Sequence, residues 1–204
     1  MKNKKPIIIG LSLAISVVGV IVVICLISSY LYTHKAAYSV CGNDITRAEY
    51  DYYYNSYYNM YLNDYSAYFD YMGVDSESDL LTQEYEDGMT FKELFDKSTI
   101  DQIKQVYVLS MEASQNNFSY DAKADVLSFF DTISDSLSGT SYSVNDYLKK
   151  YYGKHANKKR VSEYMERGFL AKAYYESLKE SMGDEEAYIY VEDLKDNCEF
   201  KEYD

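Results

Sequence analysis

The sequence predicts a mostly helical fold. An N-terminal membrane-crossing helix comes first, and a short β-hairpin opens the folded part that follows. Three observations predict this. Residues Ile7 to Tyr32 carry no charge, and a helix needs only about 20 such residues to cross a bilayer. The only proline is Pro6, so nothing beyond it interrupts helical hydrogen bonding. Helix-start signals and glycine stops then alternate along the rest of the chain.

The elements follow in order. Lys2, Lys4 and Lys5 precede the apolar run, and only His34 and Lys35 follow it closely. The positive-inside rule then gives a cytoplasmic tail over 1–6, a signal-anchor over 7–32, a stalk over 33–37 and an extracytoplasmic domain over 38–204 at the cell membrane. The run exceeds the ~7–15 residues of a cleaved signal's apolar region, and no small-x-small cleavage site follows it. Cys25, inside the run, reads as a small apolar residue. Tyr38 to Val40 reads as a strand, Gly42-Asn43 as a tight turn and Ile45 as the return. Thr46 caps the first helix, with Glu49 three residues on to close a capping box. That helix runs to about Tyr71 and stops at Gly73. Val74 to Gly88, rich in Ser, Asp and Glu, reads as a loop. Thr90 and Glu93 form a second capping box, for a helix through about Ser114. Further helices span Asp121 to about Leu137, Ser143 to Tyr152, Asn157 to Met182, and Asp184 to about Cys198. Gly139, Gly153 and Gly183 fall where three of them should stop.

Tyrosine dominates the composition. There are 26, and ten lie between Tyr50 and Tyr71. Tyr50, Tyr54, Tyr57, Tyr61, Tyr65 and Tyr68 follow helical spacing, and Tyr52, Tyr53, Tyr58 and Tyr71 widen the stripe. Such a helix is either central to the core or carries a second contact surface. Tyrosine suits a contact surface, because it offers a large area, one polar tip and little side-chain entropy to lose. The candidate peptide-binding residues are those the core does not consume: Tyr53, Tyr57, Tyr58 and Tyr61, with Phe91 and Phe95 as neighbours.

The chain is acidic, with 33 Asp and Glu against 20 Lys and Arg, three of which precede the apolar run. That excludes nucleic acid as a partner, since phosphate binding needs clustered cations, and it favours weak attraction of basic clients. Lys154, Lys158, Lys159 and Arg160 form the one basic cluster. It reads either as a solvated helix start or as a contact for an envelope polyanion or an acidic partner. Outside the apolar run only Cys41 and Cys198 remain. They read as two free thiols, or as one disulfide if the two ends of the domain meet. With two histidines, and no His, Cys or carboxylate pair at zinc-site spacing, no metal or cofactor is expected.

Two passages carry a family resemblance. The strand, Gly-containing turn, Ile45-Thr46 and Glu49 opening a long helix resemble the start of the SurA/PrsA-type chaperone domain, the N-terminal part of exported foldases. Tyr151-Tyr152-Gly153, then Leu170-Ala171-Lys172-Ala173-Tyr174-Tyr175, then Gly183-Asp184-Glu185-Glu186 with Tyr188 and Tyr190, look like later passages of the same domain, in the same order. The resemblance implies a multi-helix SurA N-terminal-like domain that holds unfolded or nascent exported polypeptides without a cofactor. In the family a parvulin-type prolyl isomerase domain usually follows, and here the sequence stops at Asp204. No isomerase activity is therefore expected of this chain. Two other readings stand beside this one: a single-pass scaffold for one envelope partner, and the front part of an isomerase whose catalytic domain is missing. The oligomeric state is not legible.

Overall fold

A computed structural model describes residues 21–203. Among these the chain is mostly helical. A first helix, α1, covers residues 21–34. Strands β1 (Ala36–Val40) and β2 (Asn43–Thr46) follow, then α2 (Arg47–Tyr65). An irregular stretch holds two single 3-10 turns, Ser66–Tyr68 and Leu80–Thr82, and a small hairpin of β3 (Glu84–Glu86) and β4 (Met89–Thr90). The helices α3 (Phe91–Gln115), α4 (Ala122–Ser136), α5 (Val144–Tyr152), α6 (Lys158–Met182) and α7 (Asp184–Asp196) come next, and β5 (Phe200–Glu202) ends the fold.

The expected membrane span over Ile7–Tyr32 is corrected. No helix among the described residues is long and apolar enough to cross a membrane, so a single-pass protein with an external C-terminal domain is not supported. Residues 7–20 of that span lie outside the described residues. The described part of the span, residues 21–32, lies in α1. Its last turn is tied to the domain instead. The Tyr32 hydroxyl donates to Asp51 Oδ2 at 2.5 Å, and its ring packs on His155 with centroids 4.5 Å apart. Thr33 is buried.

The opening hairpin forms, but its turn falls on Cys41-Gly42 rather than Gly42-Asn43, because Asn43 already pairs with Val40. Tyr38, Val40 and Ile45 all point into the core, the alternation of a strand with one buried face. Cys41 and Gly42 both take positive φ, +48° and +79°, the pattern of a two-residue hairpin turn whose twist matches the strands. A third strand was not expected. β5 pairs antiparallel with β1, Val40 opposite Phe200, so the order is β2-β1-β5. This brings the two ends of the domain together. Cys41 and Cys198 form a disulfide with 4.6 Å between their α-carbons, which corrects the reading of two free thiols.

Helices α3 and α6 make the most extensive pairing in the core, and α2 and α7 lie against them. In α3, Phe91, Phe95, Thr99, Ile103 and Tyr107 are buried, a row at every fourth residue along one face. The sheet, α2, α3, α6 and α7 share the main core, α4 and α5 build a second cluster on the first half of α6, and the end of α2 builds a third with the start of α3. The expected capping box opens α3: Thr90 Oγ1 accepts from Glu93 N–H, and Glu93 accepts from Thr90 N–H at 2.7 Å. Ser143 and Asp146 do the same for α5. Two boundaries differ from expectation. α2 ends at Tyr65 rather than near Tyr71, and α7 begins directly after Gly183 with no side-chain cap.

Candidate functional site

Phe95 sits at the centre of the aromatic half of α2. It is fully buried, and the rings of Tyr54, Tyr57, Tyr58, Tyr61 and Phe91 surround it at centroid distances of 5.2–6.3 Å. Edge-to-face geometry, which aromatic pairs favour, holds for Tyr57 and Tyr58. Of the six sequence-derived candidates, Tyr53, Tyr61, Phe91 and Phe95 are buried at 6% exposure or less. They build the core rather than an open groove. Tyr57 and Tyr58 are half-buried. The reason is steric: the face of α2 that carries Tyr57 and Tyr61 lies against the first turns of α3.

The accessible aromatic surface begins where that contact ends. A cleft of about 750 Å³ beside α3 is lined by Tyr57, Met89, Leu94 and Ile100, with Lys97, Asp101 and Lys104 among its polar residues. From Tyr57 the rings continue along α2. Tyr57 and Tyr61 lie 6.4 Å apart, and Tyr61 and Tyr65 4.7 Å apart. Past Tyr65 the helix gives way to a 3-10 turn and the chain reverses at Gly73, φ +74°. The side chains there leave the register that faced α3. Only Phe69 and Val74 return to the third core cluster. Met60, Tyr65, Tyr68, Tyr71 and Met72 are left exposed, Tyr71 at 91%. Five large apolar side chains within thirteen residues are thus left open to solvent, and exposed apolar side chains in such number are a candidate interaction surface. Burial, then the neighbouring hydroxyls of Tyr85, Tyr57 and Tyr65, pushes Tyr61 up to about 12. Tyr61 therefore stays uncharged at ordinary pH within this path. The path offers ring faces for apolar contact and hydroxyls as hydrogen-bond donors.

A polar assembly lies further along the same face of α3. Glu49 does not return to its own helix start as the capping box required. Thr46 Oγ1 accepts the Glu49 N–H at 3.2 Å, but the Glu49 carboxylate is buried and turned inward. It accepts from Tyr107 Oη at 2.9 Å and pairs with Arg167 of α6. The Arg167 guanidinium also donates to Tyr107 Oη at 2.8 Å and stacks over its ring at 4.4 Å. A second helix supplies a better partner for the buried carboxylate than the cap does, because the Arg167 guanidinium brings a full opposite charge and a backbone N–H does not. Sequence reasoning missed Arg167. The signal was there: Arg167 stands between Tyr164 and Ala171 on the buried stripe of α6. A cation on such a stripe calls for a buried carboxylate.

No family model, curated protein or solved structure matches this chain.

Proposed function

We propose that this chain is a polypeptide-holding domain of SurA/PrsA type, binding unfolded segments at the end of α2. The observation that carries the reading is the set of exposed aromatic and methionine side chains that follows the buried Tyr61: Tyr65, Tyr68, Tyr71 and Met72, with Met60. An unfolded segment presents scattered apolar side chains. Covering one large side chain is worth about 1.5–3 kcal/mol. Tyrosine and methionine accommodate many shapes, tyrosine with little entropy to lose and methionine by flexing. Such a surface gives broad selectivity with modest affinity, which release requires. The acidic surface adds weak attraction for basic segments. The strand–turn–cap unit that carries the family resemblance is formed here by β1, β2 and Thr46.

Titrating the full chain into a fluorescent, reduced and carboxymethylated polypeptide tests this by anisotropy. Saturable micromolar binding is expected. Changing Tyr65, Tyr68 and Tyr71 together to Ser should weaken it about tenfold with helical content unchanged. A well-folded chain that binds no unfolded polypeptide, yet captures one stoichiometric partner, would replace this reading with that of a specific scaffold.

A further inference from the structure

We infer that the cavity between the end of α1, the β2–α2 junction and the first three turns of α6 binds a small phosphate-class oxyanion, either inorganic phosphate or a phosphate monoester. The cavity measures about 340 Å³. It holds Lys159, Arg160 and Arg167 against Glu49 and Glu163, with His34 on its α1 side. This is a cationic hollow in a chain whose carboxylates outnumber its cations 33 to 20. Glu49 is already committed, accepting from Arg167 and Tyr107. Glu163 is therefore the one carboxylate left facing Lys159 and Arg160.

The cations keep donors in hand. Among the described residues neither Lys159 nor Arg160 enters an ion pair. Arg160 donates from Nη1 to the His155 carbonyl at 3.0 Å and Arg167 from Nη1 to Glu49 and Tyr107. No hydrogen bond involves Nε or Nη2 of Arg160 within the described part. Arg160 and Arg167 are seven residues apart on α6, two turns along one face, so both forks can address one cavity. Adjacent cations at a helix start oppose the helix dipole. Leaving them unpaired there costs stability that an anion would return. Two unpaired cations, Lys159 and Arg160, suit a dianion with several acceptor oxygens better than one planar carboxylate. The cavity is independent of the aromatic path on α2.

The test is calorimetric titration of the full chain with inorganic phosphate, at ionic strength held constant with chloride, alongside thermal unfolding in the same buffers. Saturable binding and a midpoint raised above the chloride control are expected. The variant K159Q/R160Q should bind at least tenfold more weakly, and should unfold without phosphate at or above the parent's midpoint, because a repulsion has been removed. Glycerol phosphate in a parallel titration separates the two sources: tighter binding than inorganic phosphate assigns the ester, weaker binding the free ion, and both support the site. A midpoint that responds equally to phosphate and chloride would overturn the proposal. So would a double variant that binds as the parent does.

Discussion

Arg167 carries its charge in among the helices and meets one buried carboxylate there. Removing one partner of such a pair strands the other without water, which costs about 3–5 kcal/mol. Arg167→Leu should therefore lower the free energy of unfolding in urea by that amount. Adding Glu49→Leu to it should recover most of the loss, since a matched apolar pair is often as stable as the ion pair it replaces. Tyr107→Phe, which removes only a hydroxyl, should cost about 1 kcal/mol. A titratable residue elsewhere gives a pH signature. Burial, then the charges of Lys154 and Arg160, holds His155 below its ordinary 6.5, against the opposing pull of Asp51. A depressed folded pKa means that the unfolded chain binds the proton more readily. The His155 contribution is thus present above about pH 6.5 and lost as pH falls through the depressed value. Relative to His155→Gln, the parent should lose stability over that window. At this scale the sequence was legible where a residue acts within its own helix, as Thr90 and Glu93 do. It was silent where the partner comes from another helix, as Arg167 does for Glu49.

At the scale of elements, the disulfide ties the two ends of the domain and one glycine sets the close approach of α5 to α2. Cys41 and Cys198 are separated by 157 residues in sequence. In the chain-entropy account, a loop that long is worth about 4–5 kcal/mol of denatured-state entropy. Cys41→Ser with Cys198→Ser should therefore lower the thermal midpoint by many degrees, and a thiol reductant should do the same to the parent. Disulfides persist in oxidising surroundings, so the comparison is made without reductant in the parent sample. Gly153 ends α5 with φ +100° and ψ 156°, a region essentially closed to side chains. An added Cβ would also stand 3.2 Å from Asn55 Nδ2 on α2. Gly153→Ala should cost about 1–3 kcal/mol, measured by chemical unfolding. Most helix starts and glycine stops were legible because capping is local chemistry. β5 was not, because three residues held by a partner far away in sequence leave no periodic signal. The early end of α2 was missed for a related reason: the tyrosine spacing continues past Tyr65 while the backbone does not.

For the whole molecule, the mostly helical class follows from a near absence of proline and from recurrent caps. The expectation of a membrane-spanning helix rested on uncharged length, with the flanking lysines and the missing cleavage site giving its orientation and retention. Within the described residues, the end of that run is instead held by Asp51 and His155 at the α2–α5 side of the domain. The candidate site was legible as a composition but not as a surface. Ten tyrosines in α2 and the turn after it announce aromatic contact. Which of them α3 covers is decided by tertiary contact, and it covers the residues first expected to be open. What remains exposed, Tyr65, Tyr68, Tyr71 and their methionine neighbours, is where an unfolded segment would be held.

The decisive experiment dilutes a chemically unfolded protein into increasing amounts of the full chain and follows light scattering. Suppression is expected at near-stoichiometric ratio. It should be largely lost when Tyr65, Tyr68 and Tyr71 become Ser, and retained when Tyr188 and Ile189, exposed on α7, are changed in the same way. Suppression that survives the α2 variant, or none from a folded parent, would contradict a polypeptide-holding surface at the end of α2.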